Sequence, residues 1–248
     1  MRRFLIAFQF LTIVPLPAVR CDEEDLGRSM TYFPLVGLAL GALLAGTDFL
    51  LSPLLPRGVA DLVLVALLSV VTGALHLDGL SDVCDGLAAR GPRERFLEIM
   101  KDSRVGAVGA VALVLGIMLK YQALLALPLG YKREALLFFP MAARFAQVQM
   151  TVGATRARKD GLGCAFVGGA GASQLVLAGV CTAVVAWLLL GLNGLISMLL
   201  LFLLTWGIKS WSHGRLGGIT GDVIGCASEL NEIFCLLTLL ALMRQGGQ

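Results

Sequence analysis

Seven apolar runs alternate with short polar segments along the chain, at roughly 33–52, 58–77, 105–127, 134–152, 174–192, 194–211 and 221–243. A bilayer core about 30 Å thick asks for about 20 apolar residues per helical crossing. The pattern therefore predicts an all-α integral membrane protein, a bundle of about seven transmembrane helices forming one polytopic domain over residues 1–248. The first stretch, MRRFLIAFQFLTIVPLP, has the two arginines and short apolar run of a signal peptide. No small-residue cleavage site follows, and Pro15 and Pro17 end the helix, so it reads as a retained N-terminal helix lying in the membrane interface.

Composition agrees with that reading. The chain has 248 residues, 57% hydrophobic and only 15% charged, with a mean hydropathy of +0.84, which excludes a soluble globular domain. Its six cysteines form no C-x-x-C pair and read as small apolar residues. The distribution of cations orients the bundle. With the amino terminus inside and seven crossings, the inner side holds Arg2, Arg3, Arg20, Arg28, Arg90, Arg93, Arg95, Lys101, Arg104, Arg156, Arg158, Lys159, Lys209 and Arg215. The outer side holds Arg57, Lys132, Arg133 and Arg244, so the positive-inside rule puts the polar stretch at 76–106 in the cytoplasm.

That stretch, HLDGLSDVCDGLAARGPRERFLEIMKDSRVG, carries Asp78, Asp82, Asp85, Glu94, Glu98 and Asp102, six of the 17 acidic residues. On a helix Asp78, Asp82 and Asp85 project within roughly 60° of one another, and Glu98 and Asp102 lie one turn apart. Carboxylates pointing one way repel unless a cation joins them, and a hard divalent ion such as Mg²⁺ takes oxygen ligands that it shares with phosphate. Gly79 and Gly86 leave room beside the acids for a bulky ligand. The bland alternative is a solvated charged loop. The helical phase of the acids and the cations that follow them favour a site.

Elsewhere, Gly37, Gly41 and Ala45 recur every fourth residue in the first span, and Gly106 and Gly109 open the third, the spacing of close helix packing in lipid. The acids at 22–25 read as solvated. Arg144 inside a span is either a functional group or a structural ion pair. The loop ATRARKDGLGCAFVGGAGAS is basic and glycine-rich but matches no nucleotide-binding pattern. Asp222, Glu229 and Glu232 are costly on a membrane helix, so they are expected to face a hydrated cavity shared with the first acidic stretch. His76 and His213 read as hydrogen-bonding groups, since two histidines do not make a zinc site.

Three separated motifs then carry a resemblance. The pattern H-x-D-G-x-x-D-x-x-D-G at His76 to Gly86, MKDSRVGAVG at Met100 to Gly109 and GGITGD at Gly217 to Asp222 occur in the order found in cobalamin synthases, also called adenosylcobinamide-GDP ribazoletransferases. FLTIVPLP near the start and the arrangement of spans extend the likeness over most of the chain. D-x-x-D-G-x-x-A-R at Asp82 to Arg90 also resembles the first half of the CDP-alcohol phosphotransferase signature, though Glu94 stands where that signature has glycine and the connector is short.

The resemblance implies an enzyme of the last step of adenosylcobalamin synthesis in the bacterial cytoplasmic (inner) membrane. The 5′ oxygen of α-ribazole, or of its 5′-phosphate, would attack the cobinamide-side phosphorus of adenosylcobinamide-GDP, and GMP would leave. Such chemistry rests on electrostatics and positioning. Expected roles are Asp78, Asp82, Asp85 and Asp102 for Mg²⁺; Asp82, Glu98 and Asp102 for catalysis, with Glu98 as base; and Arg90, Lys101 and Arg104 for phosphate. His76, Arg144, Asp222, Glu229 and Glu232 would bind substrate. Membrane lipid is an expected partner, nucleic acid is not, and a homo-oligomer is allowed. The rival readings are a phospholipid-making CDP-alcohol phosphotransferase and an ion-coupled transporter.

Overall fold

The computed structural model describes residues 2–17, 19, 21–158 and 162–245, so Arg20 and Lys159 of the cation distribution, with Asp160 and Gly161 of the basic loop, lie outside the described residues. The fold is all-α. Its helices are α1 (Arg2–Leu11), α2 (Glu23–Ser29), α3 (Phe33–Leu51), α4 (Arg57–Val71), α5 (Leu75–Ala88), α6 (Arg93–Ile99), α7 (Ala107–Ala126), α8 (Leu129–Thr151), α9 (Leu162–Gly169), α10 (Ala172–Leu216) and α11 (Gly221–Gln245), with a 3₁₀ turn at Met30–Tyr32.

The large apolar side chains left exposed lie along these helices, among them Val111, Leu115 and Met118 on α7 and Val180, Val184 and Leu188 on α10. Water would not tolerate such a surface, and lipid requires it. Among the described residues, four helices are long and apolar enough to cross a membrane, or five if the bent pair α4–α5 forms one span. The expectation of about seven straight spans differs from this at three places.

The run at 58–77 does not continue straight. Gly73 and Ala74 both take positive φ, the chain bends by 87°, and α5 leaves along a new axis with the acids on it. At 174–211 two expected spans form one element that reverses at Gly191, whose φ of 57° and ψ of −135° are not helical. Gly194 there packs on the carbonyl of Ala186, eight residues back, which a straight helix would hold about 12 Å away. A tight turn therefore separates those two spans. The third place is α8, whose apolar run is interrupted by Arg144, Gln147 and Gln149. It is the central helix, buried along most of its length, so its polar groups meet other helices rather than lipid.

Close packing follows the glycines as expected on α3. A Cβ at Gly37 would stand 2.5 Å from the Pro140 carbonyl oxygen, and one at Gly41 would stand 2.6 Å from that of Leu137. The backbones of α3 and α8 thus touch without intervening side chains, which gives lipid-embedded helices their dispersion contact. Helix α1 has ten residues, about 15 Å, too short to cross. It turns Ile6, Ala7 and Leu11 inward, and Arg2 pairs with Asp25 at 2.7 Å. Asp22, Glu23 and Glu24 are exposed, as expected: Asp22 caps α2 by accepting the Asp25 N–H, and Glu23 meets Arg156 at 3.1 Å.

Candidate active site

The segment GGITGD is a turn that launches α11. Gly217, at φ 71°, ends α10 in the left-handed conformation, its N–H bonded to the His213 carbonyl. Thr220 then caps α11 by accepting the Val223 N–H at 3.2 Å. A short pairing fastens the turn to the basic loop: Ala157 N–H donates to the Ile219 carbonyl, and Ile219 N–H to that of Thr155, both at 2.9 Å. This pairing carries Arg158 to Asp222, where guanidinium and carboxylate meet at 2.5 Å.

Helix α5 lies against the same turn. A Cβ at Gly79 would stand 2.5 Å from the Asp222 carbonyl oxygen, and Gly86 faces the ring of Phe96 in the same manner. Both glycines are taken up by packing, which corrects the expectation that they leave space for a ligand. The close approach at Gly79 is what brings Asp78 and Asp82 to Asp222, 144 and 140 residues further along. Asp82 stands in the field of Asp78, Asp222 and Asp85, with Arg158 as the opposing charge.

Beside these acids opens a cavity of about 140 Å³. His76, Asp78, Gln147, Thr151, Arg158 and Asp222 line it, together with Phe10, Phe33 and Phe166. His76 sits in the buried part, its Nε2 2.8 Å from Gln147 Nε2, and Gln147 Nε2 also donates to Ser228 Oγ at 2.9 Å. Sequence reasoning placed His76, Asp78 and Asp222 together. It missed Arg158, counted there only as a loop cation, and the aromatic wall.

Asp85 is turned to another task. Its two oxygens accept the backbone N–H groups of Gly106 and Gly109, each at 2.8 Å, so it caps the first turn of α7, where a carboxylate complements the helix dipole. Gly106 and Gly109 serve this approach, because a Cβ at either would collide with the Asp85 carboxylate. Asp85, Asp102 and Arg104 line a separate open hollow. Arg104 grips Asp102 with both side-chain and backbone N–H donors, and these bonds hold the Asp102 carboxyl down at about 2. The remaining expected site residues stand outside the cavity. Glu98 is exposed and paired with Arg95 at 2.7 Å. Arg90 and Lys101 are exposed as well.

Glu229 and Glu232 do not face a hydrated cavity, contrary to expectation. Both are buried. Lys120 reaches Glu229 at 2.5 Å and Glu232 at 2.9 Å, and Arg144 bonds the other oxygen of Glu232. Two acids and two bases cancel inside the bundle, so the cost of their burial is met by pairing rather than by water. Of the two readings of Arg144, the structure has the ion pair.

Among the described residues no three His, Cys, Asp or Glu side chains converge as a formed metal centre would. The donor chemistry at the rim nonetheless fits Mg²⁺: Asp78 and Asp82, one turn apart, supply hard oxygens in an excess of negative charge. Asp85 and Asp102 fit less well, being engaged by backbone N–H groups and by Arg104.

Comparisons with known proteins agree with the motifs. A family model described as cobalamin-5-phosphate synthase matches residues 3–240. A protein of Geotalea daltonii named adenosylcobinamide-GDP ribazoletransferase is 64% identical over 249 aligned positions, covering 100% of this chain and 99% of the relative. Proteins of the same name from Roseiflexus sp. and Desulforamulus reducens are 39% and 37% identical, covering 94% and 95% of this chain and 87% and 94% of the relatives. No solved structure matches.

Proposed function

The chain belongs to the cobalamin-5-phosphate synthase family, and from that premise we propose that its catalytic centre is the acidic rim formed by Asp78, Asp82, Asp222 and Arg158. It is a transferase of the final step of cobalamin biosynthesis. The reaction joins adenosylcobinamide-GDP to α-ribazole, or to its 5′-phosphate, and releases GMP. The observation that carries the site is the meeting of acids from α5 and α11, with one arginine, at a cavity with an aromatic wall.

The attacking oxygen is a secondary ribose hydroxyl. This corrects the 5′ oxygen expected above: α-ribazole 5′-phosphate has no free 5′ hydroxyl, and its product retains that phosphate. The hydroxyl oxygen forms a bond to the cobinamide-side phosphorus, the bond from that phosphorus to the GMP oxygen breaks, and GMP leaves with the electron pair. Asp222, its carboxylate oriented by Arg158, takes the hydroxyl proton. Arg158 also faces the diphosphate and takes up charge as the leaving group separates. Asp78 and Asp82 would hold Mg²⁺, which when bound supplies charge neutralisation to the diphosphate. The rim lies at the cytoplasmic face of a bacterial inner membrane, a placement supported by the cation distribution.

The test uses purified, detergent-solubilised chain and adenosylcobinamide-GDP labelled in the guanylyl group. GMP release that requires α-ribazole, stops with EDTA and returns with Mg²⁺ is expected. Asp82→Asn should lose at least about 100-fold. Release without α-ribazole, turnover of a CDP-alcohol instead, or wild-type turnover by Asp82→Asn would overturn the assignment.

A further inference from the structure

The cavity beside the rim has walls of three kinds, and together they restrict what enters. One wall is a phenylalanine cluster: Phe10 and Phe33 stack with centroids 6.0 Å apart and planes 19° apart, and Phe166 tilts onto them at 4.5 and 5.6 Å. A second is the start of α11, where Gly221 and Gly225, one turn apart, present no side chains. Flat walls of that sort suit a planar ring. The third is a buried polar floor of His76, Gln147 and Thr151.

Little of the floor's hydrogen-bonding capacity is left over. Thr151 Oγ donates to the Gln147 carbonyl at 2.8 Å, and Gln147 Nε2 is shared between His76 and Ser228. An amide nitrogen only donates, so His76 Nε2 accepts, and the neutral ring carries its proton on Nδ1. That Nδ1 is buried without a hydrogen-bond partner among the described residues. Less than 1 Å² of that atom is accessible, so the floor offers an entering ring no open donor among the described residues. At about 140 Å³ the space is below the 300–1,000 Å³ typical of drug-sized ligands, which keeps a corrin ring outside.

We infer that this slot seats the base of the acceptor nucleoside, a flat and largely apolar benzimidazole-type ring, rather than the guanine of the activated substrate. The inference rests on the functional reading above. A guanine edge carries several donors and acceptors that this floor cannot match, and burying them unpaired opposes binding. A benzimidazole riboside has one ring acceptor and otherwise apolar edges. With the ring seated inward, the ribose lies at the mouth, where Asp78, Asp222 and Arg158 stand.

Binding and turnover are measured separately on the full chain in detergent. α-Ribazole alone, without nucleotide substrate, should bind the wild type by calorimetry. Phe166→Ala should raise its Kd and KM about tenfold or more while leaving the KM for adenosylcobinamide-GDP within about twofold. The inference is overturned if Phe166→Ala raises the KM of the nucleotide substrate instead, or if neither KM moves. In each of those cases wild-type GMP release would still support the functional reading. A wild type that releases no GMP with α-ribazole would sink that reading itself.

Discussion

Replacing Gly79 by alanine tests whether the crossing of α5 and α11 sets the geometry of the rim. The new methyl would stand 2.5 Å from the Asp222 carbonyl oxygen and 3.1 Å from its Cα, whereas an ordinary contact begins at 3.4 Å. Backbone stands on both sides, so α5 has to retreat by about 0.9 Å. Overpacking of that kind costs about 1–3 kcal/mol, and alanine in a helix returns about 1 kcal/mol. The net loss, about 1 kcal/mol, should lower Tm by about 2–4 °C. Activity should suffer far more, because a displacement of about 1 Å at a reacting centre costs about 100-fold, and the shift falls between Asp78 and Asp222. Two controls bracket the result. A Cβ at Gly225, on the same crossing, would lie 3.4 Å from His76 Cα, so Gly225→Ala should keep the wild-type Tm. Gly46 has open space around it, and Gly46→Ala should keep wild-type kcat. Thermal unfolding and GMP release on the same detergent preparations decide the matter. Wild-type kcat in Gly79→Ala would refute the reasoning, as would a loss of activity no larger than the loss of stability explains.

Removing one member of the buried ion network should cost more than removing an oppositely charged pair. Lys120→Met strands Glu229 and leaves Glu232 to Arg144 alone, and should destabilise by about 3–5 kcal/mol; adding Glu229→Gln should recover at least about 1 kcal/mol, and strict additivity in denaturation midpoints would contradict the pairing. Asp85→Asn keeps one accepting oxygen and turns its amide NH2 onto the other backbone N–H, so one bond at the start of α7 is lost and the other becomes neutral, a loss of about 2 kcal/mol. Hydrogen exchange should quicken at residues 106–110 and not at 120–126. Asp102 stays ionised until the pH approaches about 2. Because its folded value lies below the unfolded value of about 3.9, any stabilisation it gives is complete above about pH 4 and is lost as the pH falls through about 2. The pH dependence of stability between 5 and 9 should therefore be the same in Asp102→Asn as in the wild type.

Particular residues show what could be read from the sequence. The α3 face of Gly37 and Gly41 was legible because a four-residue period of small residues has one use in lipid. His76, Asp78 and Asp222 could be grouped because the rarity of polar residues in an apolar chain makes each conspicuous. The Arg158–Asp222 pair was not legible: it depends on a pairing between residues 155–157 and 219, and no local pattern announces a contact 64 residues apart. Gly79 and Gly86 were misread for the same reason, since a glycine beside an acid looks alike whether a ligand or a backbone fills the space. The network around Glu232 could be foreseen in kind, because charges inside spans need partners. Its partners could not, as Lys120 and Arg144 come from two other helices.

The charges themselves separate structure from function. Inside the bundle Lys120 and Arg144 balance Glu229 and Glu232. At the far end Lys132 and Arg57 balance Asp48 and Asp61, and Arg57 also reaches the carbonyls that close α7. Both groups are neutral, as burial demands, since an uncompensated ion in a dry interior is costly. The rim is different. Asp78, Asp82 and Asp222 stand in one another's field against Arg158 as the opposing charge, and repulsion between them opposes the very crossing that brings them together. Asparagine would relieve that repulsion at nearly the same volume, so packing does not account for three acids there. The divalent cation proposed for Asp78 and Asp82 would use that excess against a diphosphate, an excess that the fold elsewhere takes care to cancel.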